Sequence, residues 1–427
     1  MKIMTNKKKI FVWTLFDFAN TSFSIVVVTF LFAVYFKETI AEGKPIGDLY
    51  WSLATSISMV VTAIISPILG AIADYSAGRK RFLLFFTLLC IVSTASLYFT
   101  GKGDLFFAVI IFILANIGFE SGLVFYDAFL PDLTSPHNFG RVSGYGFAMG
   151  YLGSLATLAI AFPFIQSNLI KETFPISALF FLIFSLPIFI FLKDNRKKNL
   201  PHVSFIKIGV SRVLTTIKNL KHYKNLAMFL LAFFFYIEGV NTVIFFSGNY
   251  ASTTLHFTIN DLIIFFIIVQ TTAIGGSIVF GIISDSLGQK KTIIISLLIW
   301  ILTMGFAYIT SYPDSQFVVI LSKFLEVSVS DFQLYSFYVV GLLAGSVMGA
   351  TQSTSRSFMS KLTPDEKRTE FFGFYSFFGK SSAIVGPLVF GLVSFLTESQ
   401  SLAILSICFF FIIGLVILQF VTDPMDS

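Results

Sequence analysis

The chain contains twelve apolar segments, each long enough to cross a lipid bilayer. A transmembrane helix needs about 20 predominantly apolar residues to span the hydrocarbon core. Segments of this kind lie at 11–36, 49–73, 82–100, 105–130, 141–166, 174–192, 225–249, 260–283, 292–310, 333–355, 370–396 and 401–421. Charged residues make up 12% of the chain, against roughly 25% in soluble domains. The sequence therefore predicts an all-α integral membrane protein with twelve transmembrane helices.

Basic residues are concentrated in alternate connections between these segments. The connections on the side of both termini hold Lys7 to Lys9, Arg79 to Arg81, Arg141, much of 193–224, Lys290, Lys291, Lys361, Lys367 and Arg368. The opposite side holds Lys37, Lys44, Lys102, Lys171 and Lys323. Because cytoplasmic loops are enriched in Lys and Arg, both termini are expected in the cytoplasm. This distribution also explains the net charge of +6 without a nucleic-acid partner.

The longest connection, 193–224, divides the chain into two halves. We predict an N-terminal six-helix bundle at 1–192, this linker, and a C-terminal six-helix bundle at 225–427. Within the linker, apolar residues recur at helical spacing with basic residues between them: Ile206, Val210, Val213, Ile217 and Leu220. The pattern favours an amphipathic helix on the inner membrane surface, held in part by anionic lipid. A solvated linker is the alternative.

Two similar motifs connect the second span to the third and the eighth to the ninth. In order, each has an acid, a glycine and basic residues: Asp74, Gly78, Arg79 and Arg81 in the first, and Asp285, Gly288 and Lys290 in the second. The acid lies near a helix end, the glycine permits a tight reversal, and the basic residues remain in water. The first motif has one more residue between acid and glycine than the second. We interpret both as gating elements on the side of the termini.

Further residues repeat between the halves. Leu133-Thr134, Gly144 and Gly150 match Leu362-Thr363, Gly373 and Gly379 at one constant offset, and the same offset relates Asp127 to Arg356. This offset exceeds the one between Asp74 and Asp285 because of an insertion at 311–332. We therefore expect two pseudo-symmetric bundles that arose by duplication.

Several polar residues fall inside the apolar segments, where an ionisable group costs roughly 2.5–3.5 kcal/mol on insertion scales. The predicted substrate or proton site consists of Asp17, Asn20, Asn116, Glu120, Glu238, Asn241 and Lys380. The predicted gating residues within or near the spans add Asp127, Arg141 and Arg356 to the two motifs. Helical spacing places Asn116, Glu120 and Asp127 on one stripe of the fourth span.

Structural explanations remain open for most of these residues. Asp127 pairs with either Arg141 or Arg356, and Lys380 pairs with either Glu120 or Glu238. Asp17 lies only about two turns beyond Lys9, so an interfacial salt bridge or a packing role is as reasonable as contact with cargo. The acids Asp74 and Asp285 are better explained by helix-end and arginine contacts than by contact with substrate.

The paired motifs resemble the loops between helices two and three, and eight and nine, of the major facilitator superfamily. More closely, Phe16-Asp17-Phe18-Ala19-Asn20-Thr21-Ser22-Phe23 resembles the first-helix signature of one branch of that superfamily. Gly140–Gly146, Ser355-Arg356-Ser357 and Glu370–Tyr375 are similar to its later helices. This branch groups bacterial proteins with the autophagy-related vacuolar amino-acid effluxers. The resemblance implies the major facilitator fold, export of a solute, amino acids as the best-attested cargo, and a bacterial inner-membrane location.

A secondary transporter is the function that these features predict together. Carboxylates with Lys380 suit a zwitterionic cargo, and a carboxyl in a low dielectric retains a proton more readily than one in water, so Glu120 or Glu238 is expected to couple transport to protons. The sequence has no P-loop, no metal-ligand spacing and no hydrolase grouping, so we expect no enzyme, no cofactor and no metal, and a monomer in the lipid bilayer. A carrier of sugar, drug or organic anion, a non-transporting sensor and an intramembrane enzyme remain as alternatives.

Overall fold

The computed structural model describes residues 6–76, 78–194 and 204–424, without the side chains of Ile259, Ala383 and Ile384. Within this part of the chain, twelve helices are long and apolar enough to cross a membrane. We number them α1 Asn6–Ile40, α2 Ile46–Ser76, α3 Arg79–Phe99, α4 Leu105–Asp127, α5 Phe139–Gln166, α6 Thr173–Phe191, α7 Lys224–Thr253, α8 Ile259–Leu287, α9 Gln289–Thr310, α10 Val329–Leu362, α11 Arg368–Thr397 and α12 Gln400–Gln419. The prediction of twelve spanning helices is confirmed, with ends that differ from the predicted ones by a few residues.

The surface of the helices matches a lipid environment. Phe85, Phe106 and Phe395 expose 60%, 74% and 79% of their area on outward faces, whereas Trp13 and Trp300 are buried inside the two bundles. A helix that is apolar on its exposed face as well as its packed face belongs in a membrane rather than in water. Two π-helical turns, Ser24–Thr29 and Phe36–Ile40, interrupt α1 in its second half.

The two halves repeat the same packing scheme. In the first, α1 packs on α5 and α6, and α4 packs on α2 and α3; in the second, α7 packs on α11 and α12, and α10 packs on α8 and α9. Between the halves, α2 packs on α11 and α5 packs on α8. These two cross-bundle pairs are equivalent to each other, so the structure has the pseudo-two-fold arrangement that the repeated motifs predict.

Small residues allow both cross-bundle pairs to approach closely. A Cβ atom added to Gly144 of α5 would lie 2.2 Å from the carbonyl oxygen of Ser277 in α8. At the equivalent place, a Cβ atom on Gly373 of α11 would lie 2.5 Å from the carbonyl oxygen of Ser66 in α2. Backbones this close exclude any larger side chain. A glycine against a backbone carbonyl group therefore permits the close helix contact at both crossings.

Besides the four-residue helix Leu130–Leu133, two shorter α-helices lie between the spans in the described part of the chain. The linker helix, Phe205–Lys218, follows residues 195–203 of the predicted linker, which fall outside the described part of the chain. Leu220, predicted to continue this helix, instead begins a separate 3-10 turn, Leu220–Tyr223, that leads into α7. The predicted insertion at 311–332 contains a second short helix, Gln316–Phe324.

We use "termini side" for the side of the membrane on which α1 begins and α12 ends, and "far side" for the opposite side. An even number of spans places both ends on one side. The connections between α2 and α3, α4 and α5, α8 and α9, and α10 and α11 lie on the termini side together with the linker helix.

Candidate substrate and gating site

An ion pair joins the two bundles in the middle of the membrane. The Lys380 Nζ atom of α11 lies 2.5 Å from Glu120 Oε2 of α4. Glu120 is about 10 Å along its helix from Asp127 at the termini end, and Lys380 is about 18 Å from Arg368. The Glu120 side chain is buried, while Lys380 keeps 24% of its side chain exposed. Of the two predicted acids, Lys380 therefore pairs with Glu120, across the bundle interface.

Buried polar atoms without described partners lie near Glu120 in sequence and in the first span. Asn116, one turn before Glu120, donates a 2.7 Å hydrogen bond to Ser58 Oγ of α2, but its Oδ1 atom has no partner in the described residues. Ser121 Oγ and Asn20 Nδ2 are buried and also lack a described partner. Buried polar groups are normally hydrogen-bonded. The arrangement can therefore accept hydrogen bonds from, or donate them to, water or a polar ligand.

Arg356 of α10 forms a second cross-bundle cluster nearer the termini side. Its Nη1 atom donates to Asp17 of α1 at 3.2 Å and to Asp127 of α4 at 3.0 Å. Its Nε and Nη2 atoms donate to the side chain and carbonyl oxygen of Ser143 in α5. Arg356 is 2% exposed. One residue of the C-terminal bundle is thus inserted among three helices of the N-terminal bundle.

Aromatic rings surround this guanidinium group. The Arg356 Cζ atom lies 4.8 Å from the ring centroid of Trp13 and 4.3 Å from that of Phe147, distances at which a cation is attracted to the ring face. Tyr126 stacks on Trp13 and donates a 2.7 Å hydrogen bond to Asp17. Asp17 therefore has Arg356 and Tyr126 as partners rather than an interfacial lysine.

The cluster holds two acids and one base. Asp17 and Asp127 share the same nitrogen atom of Arg356, so their carboxylates are close neighbours, and with both ionised the cluster carries one net negative charge. Of the two predicted partners of Asp127, the structure selects Arg356 and not Arg141. Asp127 and Arg356 occupy equivalent positions in the two halves, and residues of this kind meet when they lie near the pseudo-two-fold axis.

Glu238 and Asn241 of α7 face α11 within the C-terminal bundle. The Glu238 carboxyl is fully buried and accepts a hydrogen bond from the backbone N–H of Gly386. Its Oε2 atom has no hydrogen-bond partner, and no cation contacts the carboxyl within the described residues. Asn241 lies 3.5 Å from Ser382 Oγ. The predicted alternative in which Glu238 pairs with Lys380 is not the arrangement observed.

The first predicted gate contains Asp74 at the end of α2. Its two carboxylate oxygens accept hydrogen bonds from the backbone N–H groups of Thr369 and Glu370, at 3.1 and 2.8 Å. These groups belong to the first turn of α11, where unpaired N–H groups and the helix dipole favour a negative charge. Asp74 thus ties α2 to α11 on the termini side.

The second predicted gate contains Asp285 at the end of α8. Its carboxylate accepts from the N–H groups of Gly140 and Arg141, at 2.8 and 3.2 Å, and from the Arg141 Nε atom at 2.6 Å. Gly140 and Arg141 begin α5. The predicted gating residues Asp285 and Arg141 therefore contact each other directly across the two bundles.

The basic residues of the first motif have different environments. Arg79 is fully buried, donates to the carbonyl oxygen of Ala128 at 2.5 Å and pairs with Asp132 after α4. Arg81 is exposed and makes no ion pair with the residues that the structure describes. Gly78 has φ −103°, so it does not use the left-handed conformation that a glycine permits.

In the second motif, Gly288 does adopt a positive φ of 94° between α8 and α9. The backbone N–H of Lys290 donates to Asp423 at 3.2 Å, and Lys361 Nζ lies 3.0 Å from the same carboxylate. The glycines of the two motifs therefore have different backbone conformations: Gly288 lies in the left-handed region and Gly78 does not.

Several residues on the termini side belong to these contacts but were not predicted as site residues: Asp132, Asp194, Lys361, Arg368, Glu370 and Asp423. Asp194 accepts from the Lys80 N–H at 3.3 Å, as Asp423 does from Lys290. These two acids are separated by 229 residues, the same offset as that between Leu133 and Leu362. The repeat offset was therefore the signal that would have found them. Arg368, in contrast, pairs with Asp132 across the bundles at 2.6 Å, and no repeat predicts that contact.

Together these contacts close the protein on the termini side. Within the described residues, no hydrogen bond or ion pair joins the bundles on the far side of the Glu120–Lys380 pair. A ring contact between Phe30 and Phe266 lies on that side. The arrangement can keep a path from the middle of the membrane to the termini side shut.

Comparisons with known proteins agree with this architecture. A sequence model of the family described as "Vacuole effluxer Atg22 like" matches residues 50–424. The uncharacterized MFS-type transporter YxiO of Bacillus subtilis strain 168 is 32% identical over 97% of this chain and 95% of its own length. The human organic anion transporter MFSD10 superposes with a TM-score of 0.73 at 16% identity, covering 98% of this chain and all of that one. The proton:xylose symporter XylE superposes with a TM-score of 0.72 at 14% identity, covering 98% and 97% of the two chains.

Proposed function

Because this chain belongs to the vacuole effluxer Atg22-like family within the major facilitator superfamily, we propose that it is a proton-coupled exporter of a small zwitterionic solute such as an amino acid. It works as a monomer in a bacterial inner membrane, with both termini in the cytoplasm. The two bundles rock about the central site, so that cargo enters from one side and leaves on the other. The termini side, closed in this structure, is then the cytoplasmic side.

The observation that carries this proposal is the Glu120–Lys380 pair. The carboxylate belongs to the N-terminal bundle and the ammonium group to the C-terminal bundle, and they meet at 2.5 Å in mid-membrane. An amino acid carries the same two groups, so its ammonium replaces Lys380 at Glu120 while its carboxylate replaces Glu120 at Lys380. Each buried charge keeps a partner during the exchange, which avoids the cost of leaving it alone.

The Arg356 cluster supplies the alternation. In this structure Arg356 holds Asp17 and Asp127 of the other bundle. Opening toward the termini side withdraws Arg356 and leaves two neighbouring carboxylates, which cannot both remain charged and unpaired at low cost in a membrane. The two carboxylates then bind a proton or the ammonium group of the cargo in place of Arg356. The conformation of the bundles is thereby linked to the binding of protons and cargo.

Glu238 is the candidate proton carrier. Its carboxyl is fully buried, with no cation in contact among the described residues, and the neutral form of an acid costs less in such a place than the anion. The hydrogen bond from Gly386 N–H comes from the helix turn before Pro387, where α11 has lost one backbone bond. A movement of α11 at this turn changes the surroundings of Glu238 and therefore its proton occupancy.

The test is transport by the purified chain in proteoliposomes. Labelled amino acids are offered beside labelled sugars and organic anions, with and without an imposed pH gradient. We expect amino-acid flux that the gradient accelerates. Glu238→Gln is expected to abolish the dependence on the gradient, and Glu120→Gln to abolish amino-acid flux itself. Flux that depends on pH as in the original chain in both variants contradicts these two roles.

A charge-reversed double variant separates a cargo site from a structural ion pair. Glu120→Lys with Lys380→Glu restores the pair but exchanges its polarity between the bundles. If the pair only holds the bundles together, the double variant folds and transports as the original does. We expect instead that its thermal stability recovers relative to either single variant while amino-acid transport stays lost.

A further inference from the structure

The linker helix, Phe205–Lys218, presents three different faces. At 3.6 residues per turn, Gly209 and Thr216 fall on one face, and both are buried. A second face carries the exposed apolar residues Ile206, Val210, Leu214 and Ile217. The third carries Lys207, Ser211 and Lys218, which are exposed. The helix therefore packs on the protein by a minority of its surface.

The buried face bridges the two bundles at the first gate. A Cβ atom added to Gly209 would lie 2.7 Å from Ile72 Cγ1 and 2.9 Å from the carbonyl oxygen of Ile68, both in α2. Farther along the helix, Thr216 donates a hydrogen bond to Glu370 of α11. Arg212 adds an ion pair to the same carboxylate at 3.5 Å. The helix thus contacts α2 on one bundle and α11 on the other.

The depth of the helix indicates what its apolar face meets. Ile68 and Ile72 lie in the last turns of the α2 span, about 6–12 Å before its end at Ser76. A helix packed at that level lies at the boundary between headgroups and acyl chains. Ile206 and Leu214 expose 68% and 52% of their area there, and apolar surface of this kind is favourable in lipid and costly in water.

Two lysines of the linker helix favour contact with negatively charged lipid. Lys207 and Lys218 border the apolar face on the side turned away from the protein, and neither has an acidic partner in the described residues. Amphipathic helices with lysines at this border are attracted to negatively charged headgroups. The two charges and the apolar face therefore match one partner, the anionic leaflet on the termini side.

We propose that the linker helix binds the anionic bilayer surface on the termini side through its apolar face and Lys207 and Lys218, and thereby holds the gate between α2 and α11 closed. The helix touches both bundles only while Glu370 of α11 is near α2. Lipid that fixes the helix against α2 therefore stabilises the arrangement in which Thr216 and Arg212 reach Glu370. This inference concerns lipid control of the gate and does not depend on the identity of the cargo.

The experiment measures gate closure in nanodiscs of phosphatidylcholine with and without phosphatidylglycerol. Spin labels on Ser76→Cys and Glu366→Cys, whose side chains lie on the two sides of the gate, report the closed and open populations by pulsed EPR distances. We expect phosphatidylglycerol to increase the short-distance population. In phosphatidylglycerol, the variant K207Q/K218Q is expected to have a closed-to-open ratio that is lower by roughly fivefold for each lysine removed. High salt is expected to lower the same ratio in the original chain.

Two matched variants control this measurement. K207R/K218R keeps both charges and retains the response, and K44Q/K323Q, which removes two exposed lysines on the far side, also retains it. The proposal is overturned if K207Q/K218Q responds to phosphatidylglycerol as the original chain does. It is equally overturned if soluble inorganic phosphate reproduces the response in phosphatidylcholine, since the partner is then not the bilayer surface.

Discussion

The two predicted gates make the same backbone contacts but carry opposite charges at one equivalent position. In the gate between α5 and α8, Asp285 accepts from the N–H group of Arg141 and also pairs with its side chain. In the gate between α2 and α11, Asp74 accepts from the N–H group of Glu370. Arg141 and Glu370 are separated by 229 residues, the repeat offset. The position that carries the complementary cation in one gate therefore carries another acid in the other.

This difference explains why the linker helix lies where it does. Glu370 is fully buried and sits next to the acid Asp74, so it needs cations and donors from elsewhere. Lys367 supplies one at 3.4 Å, and Arg212 and Thr216 of the linker helix supply the rest. The gate between α5 and α8 is complete within its two helices, whereas the gate between α2 and α11 requires a third segment. Two bundles that repeat one packing scheme can thus differ in the segments that contact each predicted gate.

The largest expected effect comes from removing the carboxylate that only one gate has. Glu370→Ala leaves Arg212, Lys367 and Thr216 without their buried partner, a loss of about 3–5 kcal/mol. Its matched control, Arg141→Ala, removes a side chain that is 43% exposed and is expected to cost at most about 1 kcal/mol. Thermal and chemical unfolding of the purified variants measures both. Equal losses would show that the two gates do not differ as described.

Substitutions at the two glycine crossings are expected to lower stability by similar amounts, because the two crossings make equivalent contacts. Gly144→Ala and Gly373→Ala each place a methyl group against a carbonyl oxygen of the other bundle, which costs about 1–3 kcal/mol. Gly305→Ala in α9, where a Cβ atom meets nothing within 4 Å, serves as the control and is expected to be neutral or slightly stabilising. A substantial loss at one crossing alone would break the pseudo-symmetry of the closed side.

The turns after the two gating acids are expected to differ. Gly288→Ala forces a side chain into a φ of 94°, at a cost of about 1–2 kcal/mol. Gly78→Ala meets no such strain because its φ is −103°, and the nearest obstacle is the Ser76 hydroxyl, which can rotate away. Chemical unfolding of both variants measures the two midpoints, and we expect the lower midpoint for Gly288→Ala. A lower midpoint for Gly78→Ala would contradict the left-handed conformation at Gly288.

The smallest effect concerns the gating acids themselves. Asp74→Asn and Asp285→Asn each remove a charge from a helix N-terminus, worth about 1 kcal/mol, or roughly fivefold in the open population. Ser66→Cys and Ser277→Cys are buried reporters at equivalent positions, and their reaction with a soluble thiol reagent measures opening. We expect the larger increase for Asp285→Asn, because it also weakens the 2.6 Å pair with Arg141. No increase in either variant would remove the gating role.

The repeat offset in the sequence carries information about contacts within the site. Asp127 and Arg356 share the repeat offset, and equivalent residues close to a two-fold axis meet, so their pairing at 3.0 Å follows once the axis is considered. Asp194 and Asp423 are also related by the repeat offset, although they do not contact each other, so the offset predicts that they have equivalent roles. The repeat also relates Glu370 to Arg141, but it predicts a cation at that position. No repeat predicts the contacts of Glu370 with Arg212 and Thr216 of the linker helix.

The sequence by itself determined that the chain spans a membrane and that its two halves repeat. The number of spans depends on composition over about 20 residues, and the paired motifs depend on local spacing, so neither requires knowledge of distant contacts. Only the tertiary structure decided which charges meet: Glu120 with Lys380, Arg356 with both Asp17 and Asp127, and Glu238 with a backbone N–H group. A buried charge is stabilised by groups within a few ångströms, and packing between helices far apart in the chain decides which groups those are.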